Sequence, residues 1–296
     1  MRIYDCFMYF DEEIVLETRL NCLNPYVDYF VIVESSFTHR GEKRDLQFNI
    51  NKFEKFKDKI IYKVFDVTPN NIIDVLQNED EATKSNKYIW NAIFRENGQR
   101  NHIADGIKEA DGEDLILISD VDEIPNLPNI DLKKINQKII LFKQDMFYYK
   151  FNLKLPNTKW IGTKACKKKH LISPQWLRNI KDRKYPIYRL DALFSDKKFI
   201  DVKIINNGGW HFTNIKSAEE IEYKMKSYLH HREFDLEPID VKGIKQIMKS
   251  KQAIYDLTAD KRLNKIGSGS KLENFSLDYL PETIKLNLEK YKEWLD

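Results

Sequence analysis

The stretch Leu115-Ile116-Leu117-Ile118 constrains this chain more than any other, because it runs without a polar residue into Ser119-Asp120-Val121-Asp122-Glu123-Ile124-Pro125. An apolar run lacking alternation fits a strand buried on both faces, the situation of a parallel sheet covered by helices. Further short runs occur at Ile3–Phe10, Tyr29–Glu34, Ile60–Val67 and Ile139–Lys143, with amphipathic segments such as Glu12–Leu23 and Tyr88–Ala110 between them. Strands alternating with helices predict an α/β fold with a mixed, mainly parallel central sheet flanked by helices. From Phe147 to Ile205, aromatic and β-branched runs are broken by Pro156, Pro174 and Pro186, which predicts antiparallel hairpins or irregular structure packed on that sheet. Ser217–Leu229 reads as a helix: Ser217 and Glu220 match a capping box, and Ala218, Ile221, Met225 and Tyr228 share one face. No repeat and no linker-like stretch divides the chain, so residues 1–296 are read as a single domain.

Composition narrows the function classes. Hydrophobic residues make up 42% and aromatics 12%, too many for a disordered chain. Three cysteines (Cys6, Cys22, Cys166) are too scattered for a disulfide framework, and the N-terminus is too polar for a signal-peptide core. No apolar run approaches the roughly 18–20 residues of a spanning helix. The expectation is therefore a soluble, cytoplasmic protein. The net charge of +3 hides two opposite regions: Glu109–Glu123 holds seven carboxylates and no Lys or Arg, whereas Lys164–Arg189 holds nine Lys/Arg and one Asp. A nucleic-acid binder would spread its basic charge more widely. The acidic region suggests a cation site. The basic one is either a surface for an anionic partner or a solvated loop, and composition favours the loop.

Ligands of open α/β sheets bind beyond the carboxyl ends of the strands, which places chemistry at Asp120-Val121-Asp122. Residues two apart on an extended backbone point the same way, so Asp120 and Asp122 can converge on one hard cation, Mn²⁺ or Mg²⁺. The competing reading is a helix N-terminus capped by Asp122 with Pro125 in its first turn. Arg100 falls on the inward stripe Ile93, Ile103, Ile107 and needs an anionic partner there, either a protein carboxylate or a ligand phosphate. Arg95 lies off that stripe and reads as solvated. His211, in Asn206-Asn207-Gly208-Gly209-Trp210-His211-Phe212, could complete a metal site or touch a phosphate, or could simply be a turn histidine. No Gly-x-Ser-x-Gly elbow, phosphate loop or Gly-x-Gly-x-x-Gly fingerprint is present.

Taken in order along most of the chain, several strings resemble glycosyltransferase family 17, the family of the β-1,4-mannosyl-glycoprotein N-acetylglucosaminyltransferase that adds bisecting GlcNAc. They are Phe10-Asp11-Glu12-Glu13 with Leu16, Arg19 and Leu20; Asp28 through Thr38 followed by Gly41; Asp120-Val121-Asp122-Glu123-Ile124-Pro125; Phe147-Tyr148-Tyr149; and Gly209-Trp210-His211. The resemblance implies a GT-A fold, Rossmann-like, with residues 1–145 as the nucleotide-sugar-binding half and 146–296 as the acceptor side. It implies a metal-dependent, inverting transfer of GlcNAc from UDP-GlcNAc. By that analogy Asp122 coordinates Mn²⁺ or Mg²⁺, Asp120 contacts metal or ribose, Glu34 sits near the uridine, Arg100 neutralises phosphate, and His211 joins the metal or diphosphate.

The acceptor-activating carboxylate is open among Glu123, Asp145, Asp191 and Glu219. Asp145 is the candidate carried forward, because it precedes an aromatic stretch suited to stacking on sugar rings; a turn acid is the competing reading. The animal enzymes carry a membrane anchor and a stem, whereas here the first strand begins at residue 2, so the expected acceptor is a lipid-linked or surface glycan. Lys164–Arg189 is then a candidate for peripheral contact with an anionic membrane. Two alternatives are a phosphohydrolase of the haloacid dehalogenase type, which also places Asp-x-Asp after an apolar strand, and a non-catalytic nucleotide-sugar-binding protein.

Overall fold

The computed structural model describes residues 1–254 and 269–296. The apolar runs become strands. Ile3–Tyr9 (β1), Tyr29–Ser35 (β2), Ile60–Phe65 (β3) and Leu115–Asp120 (β4) are mutually parallel in the order β3-β2-β1-β4. Glu123–Pro125 (β5), Ile139–Tyr148 (β6), Leu153–Lys167 (β7), Val202–Ile205 (β8), Gly209–Thr213 (β9) and Glu273–Asn274 (β10) complete the strands along the chain. The sheet continues β4-β7-β6-β9-β5, with β10 beside β7 and β8 beside β6. β7 runs antiparallel to β4 and β6, and β8 and β9 run parallel to β6. The outcome is a mixed α/β fold with a curled, mostly parallel sheet flanked by helices, as the alternation of runs predicts.

Helices among the described residues include Glu13–Leu23 (α1), Glu81–Asn101 (α2), Ile103–Gly106 (α3), Pro174–Asn179 (α4), Leu190–Leu193 (α5) and Ala218–Ser227 (α6), of which α2 and α6 contribute side chains to a cleft at the end of β4. Side chains alternate across the strands. Phe7, Ile32 and Leu117 pack under α1 with Leu16 and Leu20, while Cys6, Val31 and Ile116 pack under α3 and α4 with Ile103, Trp176 and Leu177. Leu115 through Ile118 are at most 3% exposed, as a central strand requires. A third apolar cluster joins Met146 and Tyr148 of β6 to Ala218, Ile221 and Met225 of α6, whose capping box is formed.

Three local expectations are corrected. The long helix starts at Glu81, not Tyr88, because the Asp80 carboxylate caps it by accepting from the Thr83 N–H at 2.9 Å. It also stops at Asn101, and Ile103 and Ile107 belong to the next turn of chain. No helix follows Asp122, which lies in the turn joining β4 to β5. All three cysteines are free, and no helix among the described residues is long and apolar enough to cross a membrane.

Candidate active site

The turn after β4 is built around Arg19, which α1 delivers fully buried. Its guanidinium donates to both carboxylate oxygens of Asp5 (2.8 and 2.6 Å), to Ser119 Oγ (2.5 Å), and to the carbonyls of Asp120, Val121 and Glu123 (3.0, 3.2 and 3.0 Å). A tight turn exposes carbonyls that a sheet would otherwise pair, and one planar fork satisfies three of them while Asp5 balances its charge.

Glu123 works from the other side. Its buried carboxylate accepts from the Asp120 N–H (2.8 Å), Trp160 Nε1 (2.6 Å) and Arg178 Nη1 (2.8 Å). These contacts fold Asp120 and Asp122 into a fixed shape on the rim of a cleft of about 370 Å³, within the size range of small-ligand sites.

β9 then brings His211 in. It pairs with β5 in the register Glu123↔His211, and the Phe212 N–H donates to the Asp122 carbonyl at 2.8 Å. Gly209 permits this approach: its φ is +129°, and a Cβ there would stand 2.1 Å from the Ile124 carbonyl oxygen. His211 therefore lies in a strand, not a turn, with Nε2 at 3.5 Å from Asp122 Oδ1 and 2.9 Å from Thr213 Oγ1. Its Nδ1 is buried with no hydrogen-bond partner. Burial disfavours the imidazolium, but Asp122 outweighs it and raises the His211 pKa.

Asp120 and Asp122 face different partners. Arg100 Nη2 and Arg178 Nη2 each hold one oxygen of Asp120 at 3.0 Å. Burial would raise this carboxyl, and the two guanidiniums, Arg178 foremost, keep it far below the ordinary range. Among the described residues Asp122 has only His211 within ion-pair reach.

Further cations and carboxylates line the cleft. Lys224 on α6 stands 3.5 Å from Glu12, whose Oε2 accepts from the N–H groups of Phe10 (3.3 Å) and Asp11 (3.1 Å). Burial would raise the Glu12 pKa, but Lys216 and Lys224 bring it down to about 2. Glu96 pairs with Arg100 at 2.8 Å, and His39 meets Gln99 at 3.1 Å. Tyr9, Phe10, Phe37, Tyr148, Trp160 and Tyr228 give the remaining walls an aromatic character.

The cleft thus gathers Asp120, Asp122 and His211 but not the other expected site residues. Arg100 is 3% exposed and spends its guanidinium on Asp120, Glu96 and Gln175, so its partner is protein carboxylate. Glu34 is fully buried, and Gln47 N–H, Phe48 N–H, Tyr62 Oη and Arg44 saturate it. Asp145 stays outside the cleft, paired with Lys154 (2.7 Å) and Lys159 (2.8 Å), because its β6 neighbours Met146 and Tyr148 are the ones lining the cleft. Phe147 and Tyr149 are buried in the core instead of offering platforms to sugar. Asp191 and Glu219 form surface pairs with Arg189 and Lys245. Arg95 is not simply solvated either: it donates to the carbonyls of His39 and Arg40.

Among the described residues no group of three or more His, Cys, Asp or Glu side chains is arranged to hold a metal ion. The pair Asp122 and His211 nevertheless fits a cation that arrives with a diphosphate, since Mg²⁺ and Mn²⁺ then need only one or two protein ligands. The Asp122 carboxylate favours positive charge at this point, and the same attraction raises the His211 pKa. Asp120 fits poorly as a ligand, because each of its oxygens already accepts a guanidinium.

A parallel Rossmann-like half-sheet that ends in an acidic turn, extended by a mixed half in which β9 supplies a histidine, is compatible with a glycosyltransferase fold. Residues 1–295 match glycosyltransferase family 17, and the chain belongs to that family. No curated protein sequence shows significant similarity to it.

Proposed function

We propose that the cleft binds a UDP-sugar, with UDP-GlcNAc as the donor, and transfers the sugar with inversion to a hydroxyl of a glycan or glycolipid. The observation that carries this reading is that Asp122, His211 and Lys224 line one aromatic-walled cleft at the end of β4. The diphosphate needs positive charge there, and the nucleotide base and sugar rings need flat apolar surface. Mn²⁺ or Mg²⁺, held by Asp122, His211 and the donor diphosphate, would supply electrophilic stabilisation to the leaving UDP. Lys224 neutralises a diphosphate oxygen. Asp120 does not touch the donor directly; locked by Arg100 and Arg178, it holds the turn that aims Asp122.

Inversion requires a carboxylate on the face opposite the leaving group to take the acceptor proton. Glu12 and Glu96 are the lining carboxylates outside the Asp120–Asp122 turn, and they replace Asp145 as candidates. A phosphohydrolase would use Asp120 as nucleophile, and two guanidiniums on its oxygens make it a poor one. The test is UDP release from a panel of UDP-sugars with Mn²⁺ and with EDTA, on the wild type and Asp122→Asn. Release from one donor, abolished by both EDTA and the substitution, is expected. Binding of UDP without turnover on any donor or acceptor would favour a non-catalytic binding protein.

A further inference from the structure

We infer that the segment between α4 and β8 is a membrane-docking element for a bilayer rich in anionic lipid. Two backbone hydrogen bonds tie its base, from Lys181 N–H to the Lys197 carbonyl at 2.8 Å and from Tyr185 N–H to the Phe199 carbonyl at 3.0 Å. The chain between them forms a closed loop whose tip carries α5. Large apolar side chains crowd this tip and point to solvent: Phe194 is 90% exposed, Ile187 and Tyr188 78%, and Leu190 69%. Ile172, at the near end of α4, adds another at 71%. Scattered apolar residues need no explanation, but four in one short segment, with Ile172 just before α4 as a fifth, mark a surface that is covered when the protein works.

The charges around them identify what covers it. Between 181 and 198 stand Lys181, Arg183, Lys184, Arg189, Lys197 and Lys198 against Asp182, Asp191 and Asp196. Lys164 engages Asp182, and Arg189 and Lys198 engage Asp191, so the acids are largely neutralised and Lys181, Arg183, Lys184 and Lys197 stay exposed. Beside the tip a recess of about 540 Å³ is lined by Lys138, Lys169, His170 and Lys198, with Ile172 and Trp176 at its apolar side. Apolar knobs that enter the acyl boundary, ringed by cations that meet the headgroups, fit an anionic bilayer. A second copy of the chain is disfavoured, because it would bring two basic tips together. A nucleic acid leaves the aliphatic knobs without a partner.

The root of the tip is fastened to the site. Lys164 Nζ donates to the carbonyls of Arg178 (2.8 Å) and Ile180 (2.5 Å), and Arg178 itself holds Asp120 and Glu123. If the cleft is a glycosyl-transfer site as proposed, docking fixes it relative to a lipid-borne acceptor. Vesicle binding needs neither donor nor acceptor, so it fails or succeeds independently of that function.

Co-sedimentation of the full chain with phosphatidylglycerol-containing vesicles, against phosphatidylcholine alone, tests the inference. Binding to the anionic vesicles should exceed binding to neutral ones by about tenfold and weaken in high salt. The triple variant Tyr188→Ser/Leu190→Ser/Phe194→Ser and the triple variant Lys181→Glu/Arg183→Glu/Lys184→Glu should each lose about tenfold with unchanged circular dichroism, since all six side chains are exposed. Absence of wild-type binding, or variants that bind like wild type, would overturn it. So would a wild-type dimer by light scattering that the apolar variant converts to monomer.

Discussion

Removing Arg19 tests the physical basis of the site, because among the described residues no other side chain touches so many parts of the acidic turn. Arg19→Met keeps the length and apolar stem but deletes the fork. Asp5 is then left fully buried without its counter-charge, which costs about 3–5 kcal/mol. The carbonyls of Asp120, Val121 and Glu123 lose a donor as well, at about 1 kcal/mol for each that water does not reach. Against the roughly 5–15 kcal/mol stability of an ordinary domain, the variant should be severely destabilised. The double variant Arg19→Met/Asp5→Leu removes the orphaned charge and should recover about half of the loss, because only the carbonyls stay unpaired. Urea unfolding monitored by circular dichroism measures both. A single variant within about 1 kcal/mol of wild type, or a double variant no more stable than the single, would refute the reasoning.

The same geometry sets four further outcomes. Asp122→Asn should leave the unfolding free energy within about 1 kcal/mol of wild type while lowering UDP-sugar turnover by about a hundredfold or more, measured by coupled UDP release. Gly209→Ala should destabilise by about 1–3 kcal/mol, because alanine at φ +129° is strained and its Cβ meets the Ile124 carbonyl; thermal unfolding reads it. Glu12 is held near pKa 2 in the fold against 4.5 in the open chain, so its contribution to stability is complete above pH 4.5 and is lost as pH falls towards 2. Wild type should therefore lose stability more steeply than Glu12→Gln across that window in acid titrations of urea unfolding. Of Glu12→Gln and Glu96→Gln, the one that removes the base should lower kcat with little change in the donor KM, and steady-state kinetics at saturating acceptor separates them.

The strands and the acidic turn are legible because burial on both faces leaves a wholly apolar signature and Asp-x-Asp can be read in place. Arg100 is legible as an inward cation, but its partner is not: Asp120 and Glu96 reach it only once β4 and α2 are packed. Lys224 is one residue before Met225 and three after Ile221, so the test that singles out Arg100 would have found it on the inward side of α6. Arg178 hides in a basic stretch, yet Ser173 and Pro174 open a short helix there with Trp176 and Leu177 buried beside it. Asp145 lies outside the cleft because a strand alternates. The residues on either side of it, Gln144 and Met146, are buried, and Asp145 faces Lys154 and Lys159 instead. Glu34 lies outside the cleft for another reason: the chain around Gln47 and Phe48 folds back to saturate it, and nothing in the sequence shows that.

Isothermal titration of UDP into the wild type and Asp122→Asn, with and without Mn²⁺, tests the central assignment most directly. UDP should bind the wild type with Mn²⁺, more weakly without it, and the Asp122→Asn protein should lose the Mn²⁺-dependent gain while remaining folded. UDP binding that is absent in the wild type, or that is unchanged by Asp122→Asn with Mn²⁺ present, would contradict the placement of the donor at this turn.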